Sequence, residues 1–151
     1  MKLLCDQMLG TLAKWLRIYG FDTFYANSKI DDKKILDIAK KEKRILITRD
    51  KDLINKAKKE LIKTIQLKDI GIDNELSIVL NEVKIVKSKI LSRCIICNNK
   101  IKTVKKEDIA SKIPERIFKK HNEFWYCVNC NKVYWKGSHF EKMLEKIKSL
   151  S

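Results

Sequence analysis

The apolar residues fall in short runs that alternate with helical stripes. Leu3-Leu4-Cys5 is a buried-strand pattern, and Leu9, Leu12, Ala13, Leu16 and Tyr19 recur at three- and four-residue intervals. The first helix therefore starts after Asp6, a natural N-cap, and stops at Gly20, which can take the left-handed conformation of a helix end. Phe21 to Ala26 alternates as a second strand, and Asn27-Ser28 is a turn. Asp31-Asp32 opens a helix whose apolar face is Ile35, Leu36, Ile38 and Ala39. Ile45 to Thr48, a short apolar run ending in Thr48, is a buried strand, followed by a helix from about Asp50 to Glu60 with Leu53, Ile54 and Ala57 inward. Thr64 to Leu67 is a short strand, and Asn74 to Val83 carries the stripe Leu76, Val79, Leu80 and Val83. Strands alternating with helices predict an α/β domain with a mostly parallel sheet over residues 1–90.

From residue 91 the pattern changes. Cys94-Ile95-Ile96-Cys97 and Cys127-Val128-Asn129-Cys130 are two Cys-x-x-Cys pairs separated by 29 residues. Each two-residue gap lets one tight turn present both thiolates to one ion, so the four cysteines predict a tetrahedral, structural Zn²⁺ site. Asn98 and Asn131 follow the second cysteine of each pair, where such a knuckle needs a positive φ. Strand-like stretches at Ile101–Val104, Glu123–Tyr126 and Val133–Trp135 flank the knuckles, a zinc-ribbon pattern for residues 91–151. Ser138 and Glu141 form a capping box for a last helix with Phe140, Met143, Leu144 and Ile147 on its apolar face. His121 and His139 are expected to be packing or capping residues, and Cys5 a small buried hydrophobe.

Charge sharpens the picture. The 151 residues carry a net charge of +15. Residues 1–90 hold 20 basic and 13 acidic side chains, and residues 91–151 hold 14 and 6, so the second part is the denser in positive charge. Such a balance points to a polyanionic partner, with a solvated Lys/Glu surface as the plain alternative. Met1-Lys2 leads straight into a strand, so no signal peptide is expected, and no run approaches the ~18 apolar residues of a membrane span. A cytoplasmic address and no membrane partner follow as expectations, and in that compartment five cysteines favour metal binding over disulfides. Four glycines are too few for a phosphate-binding loop.

Against this basic background, acids collect at strand ends. Asp6 follows the first strand, Asp50 and Asp52 follow the third, and Asp31 or Asp32 opens the helix between. In open parallel sheets, ligands sit beyond the carboxyl ends of the strands. Gathered carboxylates repel unless a cation neutralises them, and an oxygen-rich site suits Mg²⁺ or Mn²⁺. Such an ion can activate water and stabilise the leaving oxygen of a phosphodiester. Arg49 and Lys51, beside the acids, are placed to touch the phosphate. Taken singly, each Asp reads as a helix cap.

The segments Asp6-Gln-Met-Leu-Gly-Thr-Leu-Ala-Lys-Trp-Leu-Arg17, Arg44-Ile-Leu-Ile-Thr-Arg-Asp50, Arg93-Cys-Ile-Ile-Cys-Asn98, Cys127-Val-Asn-Cys130 and Tyr134-Trp-Lys-Gly-Ser-His139 occur in that order along nearly the whole chain. Together they resemble the PIN-like RNase family first recognised as the C-terminal domain of the mutator-seven exonuclease. The resemblance implies a three-layer PIN-like α/β domain followed by a zinc ribbon, and metal-dependent RNA cleavage. It carries Asp6 and Asp50 over directly as catalytic acids, and Asp32 and Asp52 less directly, because Asp31 competes with Asp32. Asp6 and Asp50 would hold Mg²⁺ or Mn²⁺, and Arg17, Arg49 and Lys51 would hold RNA. PIN-like domains often pair, which allows a homodimer. A non-catalytic RNA- or ribosome-binding adaptor is the other reading. In it, Trp125, Tyr126, Tyr134 and Trp135 stack on bases instead of forming a small core.

Overall fold

The computed structural model describes residues 1–138, 140–142 and 145. The expectations for His139, Met143, Leu144 and Ile147 lie outside the described residues. The chain divides into two compact units, Met1–Asn98 and Asn99–Ser151.

The first unit is an α/β layer structure. Strands β1 (Lys2–Cys5), β2 (Asp22–Tyr25), β3 (Arg44–Thr48) and β4 (Thr64–Gln66) form one sheet in the order β2-β1-β3-β4, with every neighbouring pair parallel. Helices α1 (Gly10–Ile18), α2 (Asp32–Lys41), α3 (Lys51–Lys59) and α4 (Ile72–Glu82) connect or follow the strands. β3 is buried along its whole length, which explains its unbroken apolar run. Leu4, Leu46, Ile35, Leu36, Ala39, Leu53 and Ala57 share one core cluster, so α2 and α3 cover one face. The connection from β1 to β2 runs one way along the sheet and that from β2 to β3 runs the other way. Right-handed crossovers then place α1 and α2 on opposite faces.

The start of this unit departs slightly from the periodicity. A single 3₁₀ turn, Gln7–Leu9, precedes α1, because Asp6 caps it by accepting from the Met8 amide at 3.2 Å. The end is as expected: Gly20 has φ of +95°. There the chain near Lys89 presses close, and the Leu91 amide donates to the Ile18 carbonyl at 2.8 Å. A Cβ on Gly20 would stand 2.2 Å from the Lys89 carbonyl oxygen. Gly20→Ala is therefore expected to lower stability by about 2–5 kcal/mol, read as a fall in the thermal midpoint.

The second unit is a three-stranded antiparallel sheet, β5 (Lys102–Val104), β6 (Phe124–Cys127) and β7 (Lys132–Trp135), in chain order. Between β5 and β6 lie a 3₁₀ segment, Lys106–Lys112, and helix α5 (Glu115–Lys120), neither anticipated from the sequence. Ile109 of the 3₁₀ segment and Ile113 just after it join a core with Phe124 and Val133, against which Tyr126 and Trp135 pack. These two aromatics are partly buried against the ribbon's core, which is short of aliphatic residues. His121 ends α5, its amide donating to Ile117 and its carbonyl accepting from Lys106. Among the described residues no helix is long and apolar enough to cross a membrane.

Candidate active site and cysteine cluster

A strand order of β2-β1-β3-β4 puts the reversal of the winding between β1 and β3. A crevice opens at such a switch point, at the carboxyl ends of the strands. Asp6 is the residue after β1, and Asp50 lies two residues after the end of β3. The two acids flank the switch point because the same rise from strand to helix occurs on each side of it. Asp32, in the first turn of α2, completes the group. Asp6, Asp32 and Asp50 line one cavity of about 290 Å³ together with Gln7, Met8, Ile30, Ile35, Arg49 and Leu53.

Each acid is held differently. Asp6 is 6% exposed. Its Oδ1 caps the 3₁₀ turn, and its Oδ2 accepts from the Thr48 hydroxyl. The same hydroxyl accepts from the Asp50 amide at 3.0 Å, so Thr48 joins the two acid-bearing strand ends. Asp50 is the N-cap of α3, its Oδ1 accepting from the amides of Asp52 and Leu53 at 2.9 and 3.2 Å. Asp32 meets Lys56 of α3 at 3.8 Å. Asp31 is the N-cap of α2, accepting from the Lys34 amide at 2.9 Å, and lines a different depression. The choice between the two neighbouring acids thus falls on Asp32 for the cavity and on Asp31 for the cap.

Arg49 also lines the cavity. It donates from Nε and Nη2 to Glu75 of α4 at 3.1 and 2.5 Å. Asp52 and Lys51 are exposed on the first turn of α3 and are not among the cavity-lining side chains.

Arg17 requires a correction. It is 8% exposed, not a surface group that RNA could meet. Its guanidinium donates to three backbone carbonyls, those of Thr23 at 3.0 Å, Ile95 at 2.9 Å and Ile96 at 3.1 Å. Ile95 and Ile96 are the two residues inside the first Cys-x-x-Cys turn, so Arg17 ties that knuckle to α1. Asn98 extends the tie: its side chain accepts from the Thr23 amide at 3.0 Å and donates to Asp22 at 2.7 Å. Burial pushes the Asp22 carboxyl upward, but hydrogen bonds from Asn98 and Arg44 and the charges of Arg44 and Arg93 outweigh it. The group is held below the usual carboxylate range.

Both knuckle asparagines take the predicted conformation, with φ of +69° at Asn98 and +53° at Asn131. The Asn98 amide closes the first turn on the Cys94 carbonyl at 2.9 Å, and the Cys130 amide points at the Cys127 sulfur at 3.4 Å. Among the described residues, Cys94, Cys97, Cys127 and Cys130 are the group of three or more ligating side chains that could hold a metal ion. Four thiols on two such turns suit zinc. Cys5 is fully buried in β1, as expected of a small hydrophobe, and burial raises its thiol pKa far above the ordinary value. Asp6, Asp32 and Asp50 share a cavity, but among the described residues they do not form a comparable close group.

Two residues of this site carry no obvious sequence signal. Thr48 reads only as the end of a strand. Glu75 lies four residues before Val79 on the apolar stripe of α4, and an acid on that stripe was the available clue.

No curated protein and no solved structure matches the chain. A family model does match, and its description suggests a nuclease-like role. Residues 1–147 match the Mut7-C RNAse domain, so the chain belongs to that family.

Proposed function

We propose that the protein is a divalent-metal-dependent ribonuclease that hydrolyses RNA phosphodiester bonds. The observation that carries this reading is the meeting of Asp6, Asp32 and Asp50, from three separate elements, around one cavity at the switch point of the sheet. Their oxygens are the donor set a Mg²⁺ or Mn²⁺ ion takes, and Asp6 and Asp50 are its principal holders. The chemistry such an ion supplies is Lewis acidity at a phosphate and neutralisation of charge on the leaving oxygen.

The chain's own residues do the rest. Thr48 fixes the spacing of Asp6 and Asp50 through one hydroxyl. Arg49 faces the cavity with a cation that suits a phosphate. Lys51, exposed beside it, extends the basic surface, and Asp52 supplies a fourth acid at the rim of α3. The ribbon, with a structural zinc on four cysteines, adds positive charge for holding the RNA backbone.

The test is cleavage of labelled single-stranded and structured RNA by zinc-loaded protein, with and without Mn²⁺. Cleavage that requires Mn²⁺ supports the reading. Salt-sensitive RNA binding with no cleavage of any substrate would replace it with a non-catalytic adaptor.

A further inference from the structure

Arg49 has two carboxylate neighbours in very different settings. Glu75 is 1% exposed and receives two donors from the guanidinium. Asp69 lies 3.6 Å from Nη2, with its side chain 84% exposed. The Arg49 side chain itself is 27% exposed, and Nη1 makes no hydrogen bond among the described residues. One edge of the guanidinium is thus locked into the interior, and the rest lines the acid cavity.

A carboxylate buried to this degree is costly. Replacing a buried ion pair by apolar side chains is often neutral or stabilising. Glu75 shares its helix face with Leu76 and Val79, where a leucine would serve the core better. Its presence is therefore poorly explained by stability. It is well explained by direction: an arginine side chain has much rotamer freedom to lose, and a fork held in advance loses less on meeting a ligand. The backbone of Arg49 is fixed as well, between Thr48 in the sheet and the α3 cap at Asp50.

We propose that Glu75 is a positioning residue that aims Arg49 into the cavity as a dedicated hold for one RNA phosphate. The inference rests on the ribonuclease reading for its ligand. Asp69, exposed and beyond hydrogen-bond distance, is a displaceable neighbour that gives way to the phosphate.

The two carboxylates make opposite predictions, which separates positioning from charge. By charge alone, neutralising either acid should tighten RNA binding. By positioning, Glu75→Gln weakens it while Asp69→Asn does not. The experiment measures anisotropy of a labelled single-stranded RNA across a salt series, without added Mg²⁺ or Mn²⁺, for the zinc-loaded wild type and for E75Q, D69N and R49K. E75Q and R49K are expected to weaken binding about tenfold, R49K with little change in the salt slope because the cation remains. D69N should bind as the wild type or slightly tighter.

R49K keeps the charge and loses the fork, so it tests the phosphate hold. E75L, which suits the apolar face of α4, is expected to weaken binding like E75Q and tests the positioning if E75Q does not fold. Thermal melts of each variant identify that case. Tighter or unchanged binding by folded E75Q, or unchanged binding by R49K, would overturn the inference. Mn²⁺-dependent cleavage by the same preparations keeps the two ideas apart. A wild type that cleaves while R49K and E75Q bind and cut normally sinks the phosphate hold and leaves the ribonuclease. A wild type that never cleaves but loses RNA affinity on E75Q sinks the hydrolysis and leaves the hold.

Discussion

Asp6→Asn is expected to abolish RNA cleavage, by about a thousandfold or more, while leaving the fold and RNA affinity nearly unchanged. The magnitude follows from the several kcal/mol that a divalent ion contributes to transition-state charge, at about 1.4 kcal/mol per factor of ten. The fold should survive because asparagine can keep one contact and reverse the direction of the other. Its side-chain oxygen can accept from the Met8 amide, and its amide group can donate to the Thr48 hydroxyl. Asp50→Asn should behave alike, since asparagine caps helices about as well as aspartate. Single-turnover cleavage in Mn²⁺, with a thermal melt and an RNA-binding titration of the same preparation, checks this. A mutant that cuts at more than a tenth of the wild-type rate would remove Asp6 from the metal-holding role. A mutant that melts early would show its role is structural.

Removing the cysteine-bound metal should have the largest effect on stability. The second unit spans only residues 99–151, and among the described residues its core cluster is Ile109, Ile113, Phe124 and Val133. A unit this small buries too little apolar surface to be comfortably stable. Structural zinc contributes about 10–16 kcal/mol of apparent binding energy in small zinc domains, so its loss should unfold the ribbon. A strong zinc chelator, or Cys97→Ser, is expected to eliminate the ribbon's protected amides in hydrogen exchange. Metal analysis of untreated protein should find about one zinc per chain. The first knuckle should loosen too, leaving the carbonyls of Ile95 and Ile96 free to drift from Arg17. Unchanged amide protection after complete metal removal would show that the cysteines carry no structural ion.

The residues that were legible in the sequence are those whose role is local. β3 announced itself by the run Ile45–Thr48, all of it buried, and the strand adds Arg44 at its start. Gly20 and the knuckle residues Asn98 and Asn131 were readable because a positive φ admits few side chains. Asp6 and Asp50 were readable both as caps and as candidate metal-holding acids, and they line one cavity because two strands end side by side. What stayed hidden depends on distant partners. Arg17 reads as a surface cation, yet its partners are carbonyls 78 and 79 positions away. Glu75 is an unremarkable helix acid until Arg49, 26 positions earlier, is seen to meet it. Asp31 and Asp32 are equivalent by type and spacing, and only the direction of the α2 N-terminus separates cap from cavity. The 3₁₀ segment and α5 escaped because Ile109, Ile113 and Ile117 are sparse among lysines, too thin a stripe to mark a helix.

The most direct test of the central claim, that the cavity acids hold a divalent ion that cuts RNA, is the cleavage rate as a function of Mn²⁺ concentration, with Asp32→Asn and Asp31→Asn run beside the wild type. The account predicts saturable Mn²⁺ dependence in the wild type, weakened markedly by Asp32→Asn and hardly by Asp31→Asn. Cleavage that ignores Mn²⁺, or that responds to Asp31 and not to Asp32, would contradict it.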